Sequence, residues 1–327
     1  MAKHAKQSSK TPLEARGTSN RDVVNGTAHP DGTQPGLPPV AFTSQALECG
    51  LYVVATPIGN LMDMTFRAVD VLQQVDLIAC EDTRVTGKLL RHFGIKTDML
   101  AYNDHNGAKV RPQLLAEINA GKSIALVSDA GTPLISDPGY KLVGACADKG
   151  VKVIPVPGAS ALLAGLVAAA LPTDRVMFAG FLPPKQKARQ SSISSLAQVN
   201  ATIVFYETGP RLGSTLTDMA EYLGPRPAVV GRELTKLYEE VRRGTLEDLV
   251  GFYGKGSKIK GEIVIVVGPP LETESMTTAE IDAALKDALD TLSVRDAAAA
   301  VAETSGQPRR QLYARALALK TADADDL

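Results

Sequence analysis

Tryptophan is absent from the 327-residue chain and aromatic residues make up only 5% of it, so no base-stacking platform is apparent. The three cysteines, Cys49, Cys80 and Cys146, lie far apart with no Cys-x-x-Cys. That argues against a disulfide framework or a structural zinc site and fits a reducing cytoplasm. The four histidines (His4, His29, His92, His105) form no ligand spacing, and no metal is expected. No apolar run reaches the ~18–20 residues that a membrane span needs; the richest, Ala159 to Leu171, is too short. The polar start leads into no apolar core, so no secretory signal is expected. Neither sign of charge dominates: 35 Lys plus Arg against 36 Asp plus Glu leave −1, so a grip on nucleic acid must come from local basic patches.

What is present reads as globular. Hydrophobic residues at 44% and charged residues at 22% exclude wholesale disorder and a coiled coil. At ~150 residues per domain the length has room for about two domains and a remainder. Residues 1–46 are rich in Gly, Pro, Ser, Thr, Asn and Gln without an apolar period, and read as a disordered leader.

From Leu51 short apolar runs alternate with amphipathic patterns. Leu51–Thr56, Leu77–Ala79, Met99–Tyr102, Ile124–Val127 and Val151–Val156 read as strands, with helical periods between them. This pattern predicts an α/β lobe over 47–157 with a mainly parallel sheet. A second α/β block, 158–270, has strands at Val176–Gly180, Ile203–Tyr206, Ala228–Gly231 and Ile263–Val267, with helices near 186–199, 211–223 and 245–253. Residues 275–320 are Ala-rich and helical, broken at Ser305-Gly-Gln-Pro308, and 321–327 form an acidic tail.

Four turns follow the strands: Pro57-Ile-Gly-Asn60, Glu81-Asp-Thr-Arg84, Asp129-Ala-Gly-Thr-Pro133 and Pro157-Gly-Ala-Ser160. Open α/β sheets bind ligands at the carboxyl ends of their strands. Gly59, Gly131 and Gly158 permit close approach of a ligand to the backbone, and Asp129 and Ser160 offer hydrogen-bonding groups. No Lys sits in a glycine loop, so the pocket suits a zwitterionic, nucleoside-bearing cofactor better than a triphosphate. Taken singly, each turn also reads as a plain strand-to-helix connection.

The ordered set Thr56-Pro-Ile-Gly-Asn-Leu61, Glu81–Arg84, Asp104-His-Asn106, Val127–Pro133, Ser136-Asp-Pro-Gly-Tyr140, Gly180-Phe-Leu-Pro183, Phe205-Tyr-Glu207 and Arg232-Glu-Leu-Thr-Lys236 resembles the ribosomal RNA small subunit methyltransferase I family. The resemblance runs from about Leu51 to Gly268 and more faintly through the last helices; Gly209-Pro-Arg211 departs from the usual Pro-His-Arg. It implies a two-lobed tetrapyrrole-methylase-like fold, with a mainly parallel N-terminal sheet, a mixed-sheet second lobe and a small helix-turn-helix-like C-terminal domain. It also implies S-adenosylmethionine as methyl donor, a cytidine 2′-hydroxyl in the decoding region of 16S rRNA in the small ribosomal subunit as acceptor, and a homodimer. The alternatives are a methylase of the precorrin or uroporphyrinogen type and a catalytically silent rRNA-binding assembly factor.

Methyl transfer to a ribose requires a group that takes the hydroxyl proton. Candidates are Glu81, Asp82, Asp104, His105, Glu207 and Lys236, with helix capping or ion pairing as the rival role for each carboxylate. For the cofactor the candidates are Pro57, Gly59, Asp129, Gly131, Thr132, Ser160, Phe205 and Tyr206; alternation along the strand should turn Phe205 or Tyr206 into the core. For RNA they are Arg84, Lys88 and Arg91 on one helix face, Lys185, Lys187 and Arg189 in a basic loop, and Arg309 and Arg310 opening the last helix.

Overall fold

The computed structural model describes residues 46–254, 259–271 and 276–325. The expected leader lies outside the described residues, apart from Ala46. In the first lobe five strands form one sheet: β1 (Gly50–Val54), β2 (Leu77–Cys80), β3 (Met99–Ala101), β4 (Ser123–Val127) and β5 (Val153–Val156). Their order is β3-β2-β4-β1-β5 and every pairing is parallel. Between them run α1 (Phe66–Gln74), α2 (Thr83–His92), α3 (Gly107–Asn119) and α4 (Tyr140–Asp148).

The strands are apolar on both faces because both faces are covered. Tyr52, Val54, Ile78 and Val127 pack with α1 and α2 residues Val71, Leu72 and Leu90. Leu51, Ala79, Ile124 and Leu126 pack with Leu114, Ile118, Leu142 and Cys146 of α3 and α4.

The strand order fixes where a ligand can sit. From β1 the chain crosses toward β2, whereas from β4 it crosses the other way to β5, and β1 and β4 are neighbours. The turns leaving these two strands therefore diverge and open a crevice at their carboxyl ends.

The second lobe contains α5 (Ala161–Ala169), α6 (Gln186–Ser194), α7 (Gly209–Leu223) and α8 (Leu246–Tyr253). Its sheet holds β6 (Val176–Phe181), β7 (Thr202–Thr208), β8 (Pro227–Arg232), β9 (Glu240–Thr245) and β10 (Glu262–Val267), in the order β6-β7-β10-β8-β9. Only β6–β7 is parallel, so the sheet is mixed as expected. Strand β9 is an addition to the sequence reading. Its Glu-Val-Arg-Arg-Gly-Thr has no apolar face, because it is an edge strand whose Glu240 pairs with Arg232 of β8 at 3.0 Å. The apolar Ala159–Leu171 stretch forms α5, which packs on the sheet face carrying Val204, Val229, Val264 and Val266.

At the C-terminus α9 (Thr278–Leu289), α10 (Val294–Ser305) and α11 (Arg309–Asp325) share a core of Ile281, Leu285, Ala298, Val301, Leu312 and Ala316. Thr277 and Glu280 form a capping box, Ser293 accepts from the Asp296 amide, and Gly306 ends α10 in a left-handed conformation at φ 67°. The expected tail begins instead as helix, since α11 continues to Asp325.

Helix α5 meets its sheet at Gly165, where an added Cβ would stand 2.5 Å from Val264 Cγ1. Gly165→Ala should destabilise the protein by ~1–3 kcal/mol through overpacking. Gly144→Ala, in α4 where a Cβ would meet nothing within 4 Å, should be neutral or stabilise by ~0.5–1 kcal/mol. Urea unfolding of the two variants checks the contrast.

Candidate functional site between the two lobes

The crevice is closed at its floor by backbone. Past the end of β1 the Thr56 amide donates to the Gly131 carbonyl (2.9 Å) and the Gly131 amide donates back to Thr56 (3.0 Å). The Thr56 hydroxyl donates to the Ser128 carbonyl at 3.2 Å. Gly131 sits at φ +83°, and a Cβ there would stand 3.2 Å from Ile58 Cγ2, so glycine serves both conformation and space. The other two turns join this pair. Thr132 Oγ1 donates to the Ala159 carbonyl (3.1 Å), and the Asp82 amide donates to Asp129 Oδ1 (3.1 Å). All four turns singled out in the sequence thus meet at one sheet edge.

The second lobe completes two adjoining hollows. The first, about 230 Å³, lies between Ile58, Gly131, Thr132 and Asp137 of one lobe and Ala161, Tyr206, Leu234 and Val264 of the other. The second, about 360 Å³, lies between Pro57, Gly59, Lys88 and Asp129 and the facing Lys236 and Glu262. Ile58, Ala130 and Glu262 border both. The lobes touch closely at Gly59, where a Cβ would fall 2.4 Å from Lys236 Cγ.

Of the cofactor candidates, Gly131, Thr132 and Tyr206 line the first hollow, and Pro57, Gly59 and Asp129 the second. The Tyr206 ring packs edge-on against Phe178 (4.9 Å) and Phe181 (5.6 Å), and its oxygen accepts from the Leu162 amide at 3.0 Å. Burial raises the Tyr206 pKa above the usual phenol value. Phe205 is a correction: strand alternation turns it to the opposite face, where it is fully buried in the core. Ser160 occupies the N-cap of α5 without a side-chain capping bond and borders neither hollow.

The catalytic candidates separate by environment. Lys236 is half-buried, with Nζ 2.9 Å from Glu233 and 3.0 Å from Glu262. Burial pulls its pKa down, but the two carboxylates outweigh this and the net shift is upward. Glu81, at the end of β2, is half-buried and its pKa is raised, first by burial and then by Asp129, Asp137 and Asp104. Asp82 is corrected to a structural role: it caps α2 and pairs with Arg84 at 2.6 Å, and the hydrogen bond from that guanidinium lowers its pKa to about 2. Glu207 is likewise engaged. It is buried, 3.3 Å from Arg211 Nε, and accepts from Thr215 Oγ1 (2.7 Å) and the Thr208 amide (2.8 Å). Asp104 and His105 are exposed in a turn fastened by Asn103 and Asn106. Asp104 borders a separate small hollow with Arg111 and Tyr140, and His105 borders none of the three.

Among the basic candidates, Arg84, Lys88 and Arg91 are exposed on α2, and Lys88 reaches the second hollow. Lys185 and Lys187 are exposed, whereas Arg189 is corrected: it is buried against Asp218 at 2.6 Å. Arg309 and Arg310 are exposed at the start of α11.

Asp137 and Glu262 border the hollows but were not among the sequence candidates. An acid in a Pro- and Gly-bearing turn, Ser136-Asp-Pro-Gly139, was the available signal for Asp137; nothing local marks Glu262. The turn holding Asp137 is strained, with Leu134 at φ 74° and Ser136 at φ 66°. Burial first, and then Asp129, push the Asp137 pKa up to about 6.

Removing a partner from the Glu207 network leaves buried charge and polar groups unmatched. Glu207→Ala should therefore cost ~3–5 kcal/mol of stability, and Glu207→Gln clearly less, in urea unfolding.

Comparison with known proteins agrees with this architecture. The family model of tetrapyrrole (corrin/porphyrin) methylases matches residues 50–250, and the RsmI C-terminal HTH domain matches 275–320. Ribosomal RNA small subunit methyltransferase I of Mesorhizobium japonicum is 47% identical over 278 residues, covering 85% of this chain and 94% of that protein. The protein of the same name from Escherichia coli O157:H7 is 44% identical over 269 residues, covering 82% and 94%. Among solved structures, a cobalt precorrin-4 methyltransferase aligns at TM-score 0.51 and 19% identity, covering 67% of this chain and 94% of that one. Diphthine synthase aligns at TM-score 0.51 and 16% identity, covering 71% and 93%. These two structures share the fold, while the level of sequence identity carries the family: the chain belongs to the ribosomal RNA small subunit methyltransferase I family.

Proposed function

We propose that the protein transfers a methyl group from S-adenosylmethionine to the 2′-hydroxyl of a cytidine ribose in the decoding region of 16S rRNA, within the small ribosomal subunit. The observation that carries this reading is the pair of adjoining hollows at the strand crossover point, one walled by apolar and aromatic side chains with Asp137, Glu207 and Glu262 at its border, the other by Lys88, Asp129 and Lys236. The relatives' names supply the substrate class.

The first hollow fits the cofactor. Ile58, Leu234 and Val264 give apolar walls, Tyr206 an aromatic one, and Gly131 exposes backbone where a Cβ would intrude. When bound, S-adenosylmethionine supplies a methyl group already activated on a sulfonium. The protein's own task is then to position a hydroxyl, exclude water and receive a proton. We place the acceptor ribose in the second hollow. Asp129, half-buried there with its pKa raised by burial, is the carboxylate placed to take the proton. Lys236, tied to Glu233 and Glu262, holds the opposite wall.

In this reading 47–157 and 158–270 form the two catalytic lobes. The exposed Arg84, Lys88 and Arg91 steer the RNA backbone, together with Lys185, Lys187 and the 275–320 helical unit that carries Arg309 and Arg310. Leu163 and Val167 of α5 are 56% and 82% exposed one helical turn apart, which suits burial in a homodimer. The free thiols of Cys49, Cys80 and Cys146 suit the cytoplasm. A tetrapyrrole acceptor would require an apolar trough, and the charged second hollow disfavours it.

Incubation with labelled donor and small subunits lacking the modification should label one cytidine ribose, located by mass mapping of nuclease fragments. Labelling of a porphyrinogen and not of subunits would overturn the proposal. Replacing Arg84, Lys88 and Arg91 together with Ala should weaken subunit binding and lower its log–log salt slope by about 2, measured by filter binding at several salt concentrations.

A further inference from the structure

Three carboxylates border the first hollow: Asp137, Glu207 and Glu262. Two already have cations. Glu207 lies 3.3 Å from Arg211, and Glu262 lies 3.0 Å from Lys236. Asp137 has no cationic partner among the described residues. Its surroundings are the Ser128 hydroxyl and the like-charged Asp129, with Glu81 and the Tyr206 hydroxyl further out.

This placement is built into the backbone. Leu134 and Ser136 both sit at positive φ (74° and 66°), and Gly139 follows at 136°. A Cβ on Gly139 would strike Leu126 at 2.8 Å, so the turn is pressed onto β4. Across the hollow, a Cβ on Gly180 of β6 would stand 3.4 Å from Ser136 Oγ. A tight, strained turn thus presents one half-buried carboxylate to a cavity and provides nothing to neutralise it. Such an arrangement costs stability unless a ligand brings the opposite charge.

We propose that Asp137 receives the positively charged methionyl end of the cofactor, its carboxylate facing the ammonium and sulfonium. This rests on reading the first hollow as the cofactor's seat. It makes Asp137 a binding residue that selects for charge and separates it from Asp129 in the second hollow.

Acidification should weaken such binding. With its pKa near 6, Asp137 is ionised at pH 7.5 and roughly one-tenth ionised at pH 5. The other groups facing it are Glu81 at the end of β2, Asp129 at the end of β4, Tyr206 and Glu207 on β7, and Glu262 opening β10. Glu81 and Asp129 are also shifted upward, so a substitution is needed to single out Asp137.

Titration calorimetry of the full chain with two ligands provides the test. One is S-adenosylmethionine; the other is 5′-methylthioadenosine, which has the same nucleoside and a neutral thioether but no amino-acid end. The wild-type protein should bind S-adenosylmethionine about tenfold more weakly at pH 5 than at pH 7.5. Asp137→Asn should bind it about tenfold more weakly than wild type at pH 7.5, with a flatter pH dependence, and bind 5′-methylthioadenosine as wild type does. Its unliganded melting temperature at pH 7.5 should equal or exceed that of wild type, because an unpaired charge has been removed. Unchanged S-adenosylmethionine affinity in Asp137→Asn, or equal loss of both ligands, overturns the inference while leaving the cofactor reading intact. Binding of neither ligand by wild type overturns both.

Discussion

Two hydrogen bonds between Thr56 and Gly131 tie together the backbones leaving β1 and β4. Each is worth only about 1 kcal/mol net, but their consequence is geometric. They fix the two diverging turns against each other where the crossovers part, and Gly131 keeps the space above them free of a side chain. The Ala159 and Asp129 contacts then bring in the remaining turns. The second lobe closes over this edge through Lys236 against Gly59, and within that lobe Tyr206 holds the first turn of α5. Both hollows depend on that floor.

The carboxylates of the two lobes fall into a matched and an unmatched group. Carboxylates that serve the fold are matched: Asp82 with Arg84, Asp218 with Arg189, Glu207 with Arg211. Asp129 and Asp137, which border the hollows, and Glu81 beside them lack such a match and have pKa values raised first by burial. The exposed cations of α2 lie at the rim, where they meet solvent and any approaching polyanion. Exposed positive charge at the mouth and unmatched negative charge inside complement a polyanion on one side and a cationic small molecule on the other.

Much of this was legible in the sequence because it is local. Runs such as Ile124-Ala-Leu-Val127 declare a strand buried on both faces, and the glycine-bearing turns after them declare where the crevice opens. What escaped was non-local. Strand β9 has no apolar period because it is a charged edge held by Arg232. The choice between Phe205 and Tyr206 depended on which sheet face α5 covers, and α5 is apolar nearly all round. Arg189 reads as one of three basic loop residues, yet the helix expected near 186–199 includes it and aims it at Asp218, 29 residues away. Asp104 and His105 are candidates in a turn without apolar residues, and the structure shows that turn exposed.

A ligand gripped by both lobes at the diverging turns would quiet the backbone of both at once. Hydrogen-exchange mass spectrometry with and without S-adenosylmethionine tests it directly. The 130–137 turn and the segments around Leu162, Tyr206 and Val264 should be protected together. Protection confined to a single lobe, or found only in α9–α11, would contradict it.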